Sequence, residues 1–92
     1  MIETVEVETL LLAPLLEKRR LGHLDEERVQ HYMKVLPTCD PILVYVNGDE
    51  RVVVNGYHRL EAATRLTRSH IRADLRPGTR IDAVRYLDLR DG

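Results

Sequence analysis

Apolar and polar residues follow two different periods along this chain, and each change of period marks an element. Residues 3–8, Glu-Thr-Val-Glu-Val-Glu, alternate at period two and predict a half-exposed strand. The apolar run from Thr9 to Leu16 is interrupted by Pro14, which predicts a buried turn, and Glu17-Lys18-Arg19-Arg20 with Gly22 reads as a polar loop. Asp25 is a good N-cap, with Glu26 and Glu27 in the first turn where negative charge suits the helix dipole. Val29, Tyr32, Met33 and Leu36 then recur at helical spacing until Pro37 stops the helix. After the turn Thr38-Cys39-Asp40-Pro41, the continuous apolar run Ile42 to Val46 predicts a central strand. Asn47-Gly48 is a strong hairpin signal, and the strand Arg51–Val54 follows it.

The stretch Val52-Val53-Val54-Asn55-Gly56-Tyr57-His58-Arg59-Leu60-Glu61-Ala62-Ala63 holds the most information. Three β-branched residues favour an extended, buried backbone, and Asn55-Gly56 breaks it. From Tyr57 to about Leu66 the period becomes helical, with Leu60, Ala63 and Leu66 on one face. A short strand, Ile71 to Leu75, precedes the Pro77-Gly78 turn. Thr79 and Asp82 resemble a capping box for a last helix with Ile81, Val84 and Leu87 on one face. The order is β-α-β-β-α-β-α, which predicts an α+β fold, a small mixed sheet with about three helices, in a single domain over residues 1–92.

The strand–glycine–helix joint has a chemical bias. The first amides of a helix lack intrahelical partners and sit at the positive end of its dipole. With His58 and Arg59 in that first turn and Gly56 leaving room, the joint suits a phosphate. The alternative from spacing alone is an ordinary joint whose His and Arg face water.

Composition narrows the choice. Residues 1–50 hold five Lys/Arg against ten Asp/Glu, and residues 51–92 hold nine against five, so an anion meets a favourable field in the half that carries the joint. That balance is too mild for a domain that holds duplex DNA through its backbone. Four tyrosines are the whole aromatic supply, so Leu, Val, Ile and Ala must fill the core. One cysteine excludes an internal disulfide and fits a reducing cytoplasm, and there is neither a signal-peptide pattern nor an apolar run that spans a membrane. The histidines at 23, 31, 58 and 70 show no metal-ligand spacing, so no metal site is predicted. Cys39 has no basic neighbour and reads as inert filler.

Val54-Asn55-Gly56-Tyr57-His58-Arg59-Leu60-Glu61-Ala62-Ala63 resembles the motif of the ParB N-terminal/sulfiredoxin superfamily, in which a strand leads into Gly-x-His-Arg or Gly-Glu-Arg-Arg and an Ala-rich helix. Leu24 to Gln30 resembles its first helix, Pro41-Ile42-Leu43-Val44 its Pro-initiated strand, and Asp82 to Leu87 its closing helix. The resemblance implies a ParB/sulfiredoxin-like fold and a nucleotide (ATP, ADP or CTP, with Mg2+) whose phosphates lie on Gly56, Tyr57, His58 and Arg59, joined by Arg28. Sulfiredoxins carry a reducing cysteine where this chain has Tyr57, so sulfiredoxin activity is not expected. Partition ParBs use the motif to bind CTP and add a helix-turn-helix that this sequence lacks. A third branch phosphorylates free serine with a catalytic Glu after the first strand, and Glu17 lies in about that region. Three readings follow: a nucleotide-binding, regulatory domain; a small-molecule kinase or ATPase with Glu17 or His58 in proton transfer; and a DNA-associated regulatory or nuclease domain. An exposed first strand leaves a homodimer or a protein partner open.

Overall fold

Four strands and three helices form in the order that the pattern predicts: β1 (Ile2–Glu6), α1 (Glu26–Val35), β2 (Ile42–Asn47), β3 (Glu50–Asn55), α2 (Tyr57–Arg65), β4 (His70–Pro77) and α3 (Arg80–Asp91). The structure is a computed structural model that describes residues 1–11, 25–38 and 40–91. The predicted turn and loop between Leu12 and Leu24, with Glu17, Arg19 and Arg20, lies outside the described residues, as does Cys39.

The sheet order is β1-β4-β2-β3, so β2 and β4 are central. β1 pairs with β4 antiparallel, Thr4 facing Arg72, and β2 pairs with β3 antiparallel. β2 and β4 run parallel, with Ile42 beside Ala73. The hairpin between β2 and β3 turns on Gly48 and Asp49, with Gly48 at φ +60°, the left-handed region that glycine enters at little cost. The outer edge of β3 is closed by Leu11, whose amide donates to Arg51 O and whose carbonyl accepts from Val53 N.

β1 is shorter than the alternation over 3–8 predicts. Its chain curls after Glu6, where the Thr9 hydroxyl donates to Glu6 O at 2.7 Å and the Leu10 amide to Val7 O, giving a 3₁₀ turn over Val7–Thr9.

The two faces of the sheet are covered differently. On one, Val5, Ile42, Val44, Val53, Ile71 and Ala73 pack with Leu60 and Ala63 of α2; α1 packs on α2, and its Val29 is fully buried. On the other, Val52 and Val54 pack with Ala83 of α3, flanked by Tyr45 and Tyr86. β3 therefore lies between two layers, which is why three consecutive valines are all buried. α3 packs chiefly on β3 and β2, and Thr4 of β1 and Arg72 of β4 are exposed.

The capping box of α3 is present: Thr79 N donates to Asp82 Oδ2 at 2.8 Å and Asp82 N to Thr79 Oγ1 at 3.2 Å. Of the predicted apolar face, Ile81 is 65% exposed and Val84 half-buried, while the fully buried residue is Ala83. The small Ala83 lets the helix approach the valines of β3 closely, and the cap then turns Ile81 outward. Among the described residues, no helix is long and apolar enough to cross a membrane.

Candidate functional site

Gly56 is the hinge between β3 and α2. It sits at φ +103° and serves as the N-cap of α2 without a side chain to cap the first amides. Its position admits no larger residue: a Cβ would lie 2.5 Å from Ile42 Cγ2 and 3.1 Å from Arg59 Nη2. Glycine is thus required by backbone conformation and by the approach of β2 together.

The next residues take different directions. Tyr57 turns back onto the sheet, its hydroxyl donating to Val53 O at 3.1 Å, and packs with both core clusters. His58 turns toward the start of α1, where its Nε2 accepts the Asp25 amide at 2.9 Å. A nitrogen that accepts an N–H carries no proton, so neutral His58 holds its proton on Nδ1. Burial pushes the His58 pKa down, the nearby Arg28 cation pushes it further, and the Asp25 carboxylate opposes both. Asp25 Oδ1 meanwhile caps α1 by accepting the Glu27 amide at 3.0 Å.

Arg59 points elsewhere. Its Nη1 donates to Asp40 O at 2.7 Å and to Pro41 O at 3.0 Å, and its guanidinium lies 5.9 Å from the centre of the Tyr32 ring. Arg59 thus fastens α2 to the chain entering β2. Among the residues singled out from sequence, Gly56, His58 and Arg28 are gathered where α1 and α2 both begin, while Arg59 and Tyr57 are held by backbone carbonyls. Glu17 lies outside the described residues.

Sequence reasoning did not find Asp25 as the partner of His58, nor Tyr32 and Asp40 as those of Arg59. All three contacts join residues far apart in the chain, and the N-cap pattern at Asp25 was the one available hint. A second tie between the helices is Arg65, which pairs with Glu26 and with Glu61. Among the described residues, no group of three or more His, Cys, Asp or Glu could hold a metal ion.

No protein-family model matches the sequence, and no curated protein matches it. Solved structures do. A sulfiredoxin from Arabidopsis thaliana superposes with a TM-score of 0.77 at 27% identity, over 95% of this chain and 97% of that one. The C-terminally truncated chromosome-partitioning protein ParB from Caulobacter crescentus, complexed with CTP-gamma-S, gives 0.74 at 18% identity, over 99% of this chain and 52% of that one. A free serine kinase in complex with AMP gives 0.61 at 12% identity, over 82% of this chain and 30% of that one. With its four-stranded mixed sheet and three helices, this chain has the ParB/sulfiredoxin-like fold.

Proposed function

We propose that this domain binds a nucleotide, with phosphates at the start of α2 over Gly56, Tyr57 and His58, Arg28 beside them, and Arg59 holding the hinge in shape. The observation that carries the reading is the placement of Arg28 close enough to His58 to depress its pKa, at a helix start that has no side-chain cap. A cation, the Nδ1–H of neutral His58 and the positive end of a helix dipole are concentrated there. The Asp25 carboxylate, which acts on His58, is already engaged in capping α1. An anion relieves that imbalance, and a phosphate uses donors from several directions.

Two structural neighbours are complexes with CTP-gamma-S and with AMP, which supports a nucleotide as the source of the phosphate. Binding rather than turnover is favoured, because the His58 lone pair that a general base needs already accepts the Asp25 amide. Mg2+ arriving with the nucleotide would be held chiefly by phosphate oxygens and water, since the described residues provide no cluster of ligands for it.

The test is a thermal-shift series with ATP, ADP, CTP and GTP, each with Mg2+, on the wild type and on Arg28→Gln. A ligand at about 100 times its Kd adds roughly 2.7 kcal/mol and raises Tm by about 10 °C or more in a domain of this size. Arg28 is exposed, so its replacement leaves the ligand-free Tm unchanged while weakening the responding nucleotide about tenfold. If no nucleotide raises Tm, the reading fails.

A further inference from the structure

The nine arginines of the second half of the chain differ in their partners. Arg65, Arg76 and Arg80 each have a carboxylate partner, in Glu26 and Glu61, Asp74, and Glu50 respectively. Arg68 and Arg72 have none among the described residues, and both line one cavity of about 130 Å³. Arg59 and His70 line it too, and Asp40 is its one carboxylate. Leu36 and the largely buried Ile71 give it an apolar wall.

The topology explains why these residues meet. Parallel pairing sets the start of β2 beside the start of β4, with Ile42 opposite Ala73, so Asp40 comes next to the Ile71–Arg72 segment. Thr4 faces Arg72 across the β1–β4 ladder, and Arg68 lies on the short connection from α2 into β4. Arg59 arrives from α2, with Nη1 pinned by the carbonyls of Asp40 and Pro41. α3 packs chiefly on β3 and β2, and Arg72 on β4 is exposed.

Three arginines and a histidine against one aspartate, beside apolar Leu36 and Ile71, line the cavity and give it a local excess of cationic residues. We propose that this cavity is an oxyanion site, separate from the helix start at Gly56, for a small molecule bearing a carboxylate or phosphate group on a short carbon body. Arg68 and Arg72 supply the forked donors that suit either group, Arg59 is the fixed third cation, and Leu36 with Ile71 receives the carbon body. The volume is below the roughly 300–1,000 Å³ of sites for drug-sized ligands, which fits a small metabolite. The proposal does not depend on nucleotide binding at Gly56.

The experiment is an amide NMR titration of the full chain with inorganic phosphate and, separately, with propionate, at ionic strength matched by NaCl. Saturable shifts at Thr4, Arg68, His70 and Arg72 are expected, with an apparent Kd on the order of 10 mM or tighter. The Arg68→Gln/Arg72→Gln double variant weakens binding at least about tenfold and Arg72→Gln alone weakens it measurably, whereas Arg85→Gln, which removes one charge on α3, leaves binding unchanged. If the double variant loses its dispersed spectrum, Arg72→Gln alone serves. Saturation by phosphate only assigns a phosphate ester, by propionate only a carboxylate, and by both a general oxyanion site. Absence of saturation, shifts confined to Gly56–His58, or an unchanged response in the variant overturns the proposal. The readout differs from the nucleotide thermal shift, so either reading can fail while the other stands.

Discussion

Gly56→Ala puts the geometry of the hinge to a quantitative test. At φ +103° an L-residue carries backbone strain of about 1–3 kcal/mol. The new Cβ would also lie 2.5 Å from Cγ2 and 2.9 Å from Cβ of Ile42, a fully buried residue with no space to retreat. Overpacking of that kind costs about 1–3 kcal/mol more. Reduced freedom of the unfolded chain returns roughly 0.4–1 kcal/mol, leaving a net loss of about 1–5.6 kcal/mol, centred near 3. That is a large part of the 5–15 kcal/mol that typically holds a domain together, and it lowers Tm by about 10 °C or more. Gly48 provides the internal control. It has φ +60°, but a Cβ there meets nothing within 4 Å, so Gly48→Ala meets backbone strain without overpacking and, after the same unfolded-state return, loses about 1 kcal/mol or less. Urea unfolding followed by far-ultraviolet circular dichroism measures both variants. Equal losses for the two glycines would show that the approach of Ile42 is not what demands glycine at position 56.

Three further outcomes are expected. Because the folded-state pKa of His58 is held below its ordinary value of about 6.5, the unfolded chain takes up its proton first as pH falls. This contribution to stability is complete above about pH 6.5 and is lost as pH falls through the folded value. His58→Gln should flatten that part of the curve in urea melts between about pH 5 and 8, and an unchanged slope would assign it to another group. Arg59→Ala removes one donor group shared by two carbonyls and should cost about 1–3 kcal/mol by urea melt. A variant as stable as wild type would mean that water satisfies Asp40 O and Pro41 O equally well. Thr79→Ala should cost about 1 kcal/mol through loss of the α3 cap, with Thr79→Ser close to wild type in the same thermal melt.

Arg59 shows how a correctly located residue can be held for reasons that the sequence does not display. Its position in the first turn of α2 follows from local spacing, and so does the glycine before it. Its hydrogen bonds to Asp40 and Pro41 are 19 and 18 residues away in the chain, and no periodicity encodes them. The last helix carries the same lesson in reverse. Its cap was legible because Thr79 and Asp82 are three residues apart, whereas the burial of Ala83 and exposure of Ile81 were not, because the valines of β3 select Ala83.

The sequence by itself determined what is local: the strand, glycine and helix around Gly56, the hairpin at Gly48, the caps at Asp25 and Thr79, and the alternation that sets each strand's faces. These depend on backbone preference and on bonds spanning a few residues, so each segment carries its own information. Only the tertiary structure decided the order β1-β4-β2-β3, the parallel pairing of β2 with β4, and therefore the meeting of Arg59 with Arg68 and Arg72, and of His58 with Asp25. Those contacts are fixed by which apolar faces must bury against one another, a property of all the elements together that no single segment contains.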